Sequence, residues 1–168
     1  GRTVQVTMEE VIAASGGVTV LNRATELGAK SYIPALLEVK GSKPDVLVLI
    51  HFGNDMVASL KQATLLGLRE KMAIFVSFIE LNMAIPLGPE VMHGVLTSMT
   101  WYHGLSERYK GSKEFVELFE RRYHRKPGNG AATAWVNLLQ YAEAVERAGS
   151  FQPVAVIHAL EGHHFSLL

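Results

Sequence analysis

The 168 residues carry 16 Lys and Arg against 16 Asp and Glu, a formal net charge of zero, and 48% are hydrophobic. That is the composition of one ordinary globular domain, with no basic excess to neutralise a row of phosphates or hold the chain on anionic lipid, so nucleic acid and membrane surfaces are not expected partners. The longest apolar runs, Val46–Ile50 and Ala73–Ile79 with Ser77 inside it, fall far short of the roughly 18 residues of a membrane-spanning helix. With no cysteine, disulfides, thiol catalysis and thiolate metal sites are excluded, but the compartment is left open.

In chain order, the first ten residues lack the basic start and apolar core of a secretory leader, and Thr3–Ala14 reads as a helix broken at Gly16-Gly17. Val18-Thr19-Val20-Leu21 is short and β-branched, as a strand is. Tyr32–Val39 reads as a helix, Gly41-Ser42-Lys43-Pro44 as a turn, and Asp45–Ile50 as a strand apolar on both sides. Such a strand belongs inside a parallel sheet covered on both faces. A helix follows with Asn54 or Asp55 as its cap, an apolar face of Met56, Leu60, Ala63 and Leu66, and a stop at Gly67. Met72–Phe78 is a second buried strand, Ile79–Pro89 reads as irregular, and Gly94–Thr100 is a third strand. Later segments are helical: Lys113–His124, Ala131–Ala148 ended by Gly149, and Pro153–Leu160, before a strand-like start at His163–Leu168. Strands alternating with helices predict an α/β fold, a parallel sheet with helices on both faces. The opening helix has no strand before it and the last residues start one, so the fold is expected to be truncated at both ends.

Several motifs bear on chemistry. Gly128-Asn129-Gly130 has two glycines of a dinucleotide fingerprint, but Lys126-Pro127 stands where a strand is needed. The seven histidines are scattered, and Gly162 inside Glu161-Gly162-His163-His164 argues against two ligands on one helical face. His51, Asp55 and Ser59 supply the residue types of a catalytic triad without the strained elbow that presents a nucleophilic serine. A better constellation is three strands in a row that end in small or polar residues: His51-Phe52-Gly53-Asn54, Ile79-Glu80, and Trp101-Tyr102. In an open parallel sheet, ligands bind outside the carboxyl ends of the strands. There Phe52 and Trp101 offer apolar walls, Gly53 a close backbone approach, and Glu80 one negative charge.

At these residues the sequence resembles a known family. Lys43-Pro44-Asp45-Val46-Leu47-Val48-Leu49, Ser59-Leu60-Lys61-Gln62-Ala63 and Leu66-Gly67-Leu68, with Phe115–Tyr123, Lys126-Pro127 and Ala144–Gly149, are similar to the second lobe of ABC-transporter solute-binding proteins for branched-chain and other hydrophobic amino acids. These have the type I periplasmic-binding fold, in which two α/β lobes joined by three crossings close on a ligand. The resemblance implies residues 1–108 as a second-lobe ligand-binding domain without its first strand, and residues 109–168 as a helical segment belonging partly to the other lobe. It also implies a non-enzyme without cofactor or metal that delivers an amino acid to a membrane permease from the periplasm or an extracellular space. Phe52 and Asn54 match the strand-end loop facing the ligand, Glu80 matches the acidic residue that takes the α-ammonium, and Trp101 falls near the cleft edge. A cytoplasmic sensor on the same fold, or an α/β enzyme using His51 and Asp55, are the alternatives.

Overall fold

The computed structural model describes residues 2–168, which form two compact units, one running to Met99 and the other Thr100–Leu168. The first contains α1 (Arg2–Ala14), α2 (Ile33–Ser42), β1 (Val46–Leu49), α3 (Gly53–Leu65), β2 (Ala73–Val76), α4 (Leu81–Met92) and β3 (Val95–Thr97). The second contains α5 (Lys110–Tyr123), α6 (Asn129–Ala148) and α7 (Pro153–Leu160). The division falls before residue 108 because Trp101 and a short 3-10 turn at His103–Glu107 pack with α5.

The sheet is parallel, in the order β1-β2-β3, with Leu47 opposite Ile74, Leu49 opposite Val76, and Val76 opposite Thr97. Consecutive parallel strands need crossover helices, and α3 and α4, packed on each other, are those helices. Side chains alternate along a strand, so Leu47, Leu49, Ile74 and Val76 share one face and are buried with Met56, Leu60, Ala63 and Leu87 of the crossover helices. The opposite face is less covered: Val46 is 48% exposed, while Val48 and Phe75 are half-buried. The two-sided coverage expected from the apolar run of β1 is therefore met on one face within this unit.

Four segments differ from the sequence reading. Val18–Leu21 is irregular, with Val18 80% exposed, because β-branched residues stabilise a strand through cross-strand neighbours and no strand lies beside this one among the described residues. Likewise His163–Leu168 is irregular and pairs with no strand among the described residues. It runs instead so close to α5 that a β-carbon at Gly111 would strike the Leu167 carbonyl. Residues 81–89, read as irregular from Pro86, Gly88 and Pro89, lie in α4, which carries Pro86 inside its first segment and kinks at Gly88, where φ is 76°, just ahead of Pro89. Finally, α2 continues through Gly41 and Ser42 and stops at Lys43 in the left-handed region, with φ 50°, just ahead of Pro44.

Beyond Leu87, Arg69 fixes the far end of α4: its guanidinium donates to the carbonyls of Glu90 and His93, at 2.6 and 3.0 Å. These are chain-end carbonyls that the helix itself leaves without partners. In the second unit, Trp101, Phe115, Val116 and Ala132 form the core, with Phe119 and Trp135 packed on it. No helix among the described residues is long and apolar enough to cross a membrane.

Burial on α3 sets the sharpest expectation for stability. Leu60 is fully buried and Leu65, five residues later on another face of the same helix, is 78% exposed. Leu60→Ala should cost about 2–5 kcal/mol in urea unfolding, whereas Leu65→Ala should stay within about 0.5 kcal/mol of the parent. Equal losses would mean that α3 does not face the sheet by this stripe.

Candidate functional site

The last ladder bond between β1 and β2, Ser77 N–H to the Leu49 carbonyl at 3.1 Å, holds the two strand ends side by side, and both chains then turn into helices. Phe52 is the residue before α3 and Glu80 the residue before α4. Gly53 turns the chain from strand to helix with φ 58°, a backbone that strains any other residue, and the space where its β-carbon would lie is open. Phe52 emerges 67% exposed, and its ring stacks on Phe78 with centroids 5.6 Å apart and planes 24° from parallel. This offset stacking is the favoured arrangement of two rings.

The Glu80 carbonyl accepts the N–H groups of Met83 and Ala84, both at 2.9 Å, so its backbone begins α4 while its side chain makes no cap. The carboxylate stands at a helix N-terminus, where the helix dipole favours negative charge, and among the described residues no cation pairs with it. Asn54 is exposed in the first turn of α3. Neither it nor Asp55 caps that helix; Asp55 instead accepts the Gly28 N–H at 3.0 Å.

Trp101 belongs to the other unit and is 6% exposed. Its indole N–H donates to Ser112 Oγ at 2.9 Å, and its ring meets Phe115 edge-on, with centroids 5.5 Å apart. The structure thus brings Phe52, Asn54 and Glu80 to one sheet edge and gives Trp101 a packing role. Phe78 is the residue that sequence reading missed. The apolar run Met72–Phe78 places it at the end of a buried strand, although a second phenylalanine just past an adjacent parallel strand end is itself a signal.

Behind Phe52 lies a buried polar cluster. His51 Nε2 is 3.0 Å from Thr25 Oγ1 and its Nδ1 is 2.8 Å from Ser59 Oγ, while Tyr32, 1% exposed, packs its ring on His51 at 4.7 Å. The Tyr32 hydroxyl has no partner in hydrogen-bond geometry, and burial first, then the nearby Asp55 carboxylate, raises its pKa above the ordinary tyrosine value. Burial lowers the pKa of His51, an effect the Asp55 carboxylate partly opposes. His51 and Ser59 therefore do meet, but Ser59 is 0% exposed, so no substrate reaches its hydroxyl and the triad reading has no nucleophile. No group of three or more His, Asp or Glu among the described residues is placed to hold a metal ion.

A parallel α/β unit with an aromatic ring and an unpaired carboxylate at its strand ends has the layout in which open sheets place their ligands. Compared with known families, residues 1–168 match the periplasmic binding protein model throughout, and the chain belongs to that family. No curated relative matches it. Among solved structures, an amino acid ABC transporter substrate-binding protein from Pseudomonas fluorescens Pf-5 superposes with a TM-score of 0.89 at 24% identity, over 98% of this chain and 44% of its own. A branched chain amino acid ABC transporter periplasmic ligand-binding protein from Burkholderia xenovorans LB400 gives 0.79 at 23% identity, over 99% and 44%. A leucine binding protein from Thermotoga maritima MSB8 gives 0.75 at 20% identity, over 88% and 41%. The chain thus spans less than half the length of these structures, and the likeness shows a shared fold.

The His51 cluster carries a pH expectation. The folded chain holds His51 neutral to lower pH than the unfolded chain, where it titrates near 6.5. Between the two titrations the unfolded state binds more protons, so this contribution is fully present above 6.5 and is lost as pH falls through the folded value. Between about pH 7.5 and pH 5, His51→Gln should therefore lose less stability than the parent in urea unfolding. Parallel losses would show that His51 is not held neutral by burial.

Proposed function

We propose that this chain supplies one wall of the interlobe cleft of a solute-binding protein that captures a small hydrophobic or branched-chain amino acid, or a related amide- or urea-type solute, for an ABC importer. In this reading residues 1–108 are the second-lobe ligand-binding domain and residues 109–168 belong partly to the other lobe. The partner after capture is the importer's membrane permease, in the periplasm or an extracellular space, and the protein works by hinge closure without chemistry. The observation that carries the reading is the Phe52–Phe78 pair, with Phe52 exposed, and the unpaired Glu80 carboxylate at the ends of the same two strands. An α-amino acid matches that pair of features: its ammonium bonds a carboxylate with charge assistance, and its apolar side chain covers an aromatic wall. Asn54, exposed on the first turn of α3, adds a polar group at the same edge. Trp101 contributes indirectly in this reading, by holding together the unit that follows the last strand. The names of the superposed structures, an amino acid, a branched-chain amino acid and a leucine binder, support the same ligand class.

One wall alone binds weakly. An exposed ion pair contributes about 0–1 kcal/mol, and partial cover of a leucine-sized side chain adds about 1–2 kcal/mol. Association costs at least about 4 kcal/mol in lost freedom. The cost exceeds these gains, so the 168-residue chain should bind leucine no tighter than about millimolar in an NMR chemical-shift titration, a ceiling that corresponds to about −4 kcal/mol. Glu80→Gln should weaken leucine by about two- to fivefold and leave N-acetyl-leucine, which lacks the ammonium, unchanged. Micromolar binding by this chain, or a Glu80→Gln variant that binds leucine as the parent does, would refute the assignment.

A further inference from the structure

Resting on that reading, we infer that the wall formed by Phe52 and Phe78 selects a flat side chain, so that the preferred ligand class is aromatic α-amino acids. The inference comes from the shape of the wall. A branched aliphatic side chain is best held by a concave pocket that touches it from several sides, as apolar ligand sites generally do. Here the strand end offers a plane. Phe52 stands 67% exposed, with one face of its ring engaged by Phe78 at 5.6 Å and 24°. A third ring extends this near-parallel stack over a whole face, whereas a leucine side chain meets the same face with one or two methyl groups.

Phe78 acts through Phe52 and is a positioning residue. Half-buried just past β2, it backs the exposed ring and limits its rotation. This matters because the residues on either side of Phe52 are fixed for other reasons. His51 is held by Thr25 and Ser59, and Gly53 turns the chain into α3. The backbone at Phe52 is thereby anchored, and the remaining freedom of its side chain is what Phe78 removes. Glu80 follows Phe78 by two residues, which puts a ligand ammonium at the edge of the wall and its side chain against the rings.

The test compares phenylalanine, cyclohexylalanine and leucine as ligands of the full chain by NMR chemical-shift titration. Cyclohexylalanine has the same carbon skeleton as phenylalanine and is more apolar, but its ring is puckered. Simple burial of apolar area ranks cyclohexylalanine first; stacking ranks phenylalanine first, by about two- to tenfold. Phe78→Leu should abolish that preference, and Phe78→Tyr, which keeps a ring, should retain it. Leucine binding that depends on Glu80, with cyclohexylalanine equal to or tighter than phenylalanine, overturns this inference and leaves the functional reading standing. A preference that survives in Phe78→Leu removes Phe78 from the inference. Failure of all three ligands to shift the resonances of Phe52 and Glu80 overturns both the inference and the reading beneath it.

Discussion

Everything at the candidate site depends on how β1 and β2 bury one shared face. Leu47 faces Ile74 and Leu49 faces Val76 in register, and these four side chains meet Met56, Leu60 and Ala63 on α3. Each fully buried side chain of this size contributes roughly 1.5–3 kcal/mol, so a slip of one residue, which would turn all of them outward, is strongly disfavoured. The register fixes where each strand stops, and from there Phe52, Phe78 and Glu80 follow. Their proximity is thus a by-product of core packing. No direct bond between Phe52 and Glu80 is needed to hold them at one edge.

The second constraint is polar. The long irregular stretch between α1 and α2 would drift without anchors, and it is stitched to β1 and α3 at three points. Thr25 meets His51, the Gly28 N–H reaches Asp55, and the Tyr32 N–H reaches Gln62 Oε1 at 2.7 Å. The bonds of Thr25 and Tyr32 are partly buried, where a completed hydrogen bond offsets the desolvation of the groups that make it, and the Gly28 bond is exposed. The same bonds that fold this stretch down keep His51 from turning, and His51 immediately precedes the exposed ring of Phe52. Local stability and site geometry are therefore coupled through one residue.

The three parallel strands and the apolar stripe of α3 were legible in the sequence because each is encoded locally, by a two-sided apolar run or by helical spacing. So was the edge carrying Phe52, Asn54 and Glu80, since strand ends follow from strands. What depends on a distant neighbour was not legible. Val18–Leu21 has the composition of a strand yet lacks a partner, so its propensity goes unrealised. Residues 81–87 read as irregular because Pro86 and Gly88 hid a helix that begins before them. Trp101 was read as a cleft wall from its place after the third strand, but Ser112 and Phe115, eleven and fourteen residues on, draw it inward. Asn54 or Asp55 was the expected cap of α3; neither caps it, and the Asp55 carboxylate accepts the Gly28 N–H instead.

The contrast between Phe52 and Trp101 explains why residue type alone does not locate such a site. Both are large aromatics just after a parallel strand, and both have the area to dominate a contact. An indole brings an N–H that must find an acceptor when buried, and Ser112 Oγ supplies one, so Trp101 can enter a core at little polar cost. Phenylalanine has no such group and gains simply by covering apolar surface. At the end of β1 the covering surface on offer is the face of one ring, Phe78, and it leaves the other face of Phe52 in water. A ring held so that one face is engaged and the other bare is a contact half made. The bare face gains most from a partner that is flat, apolar and carries a positive group toward Glu80.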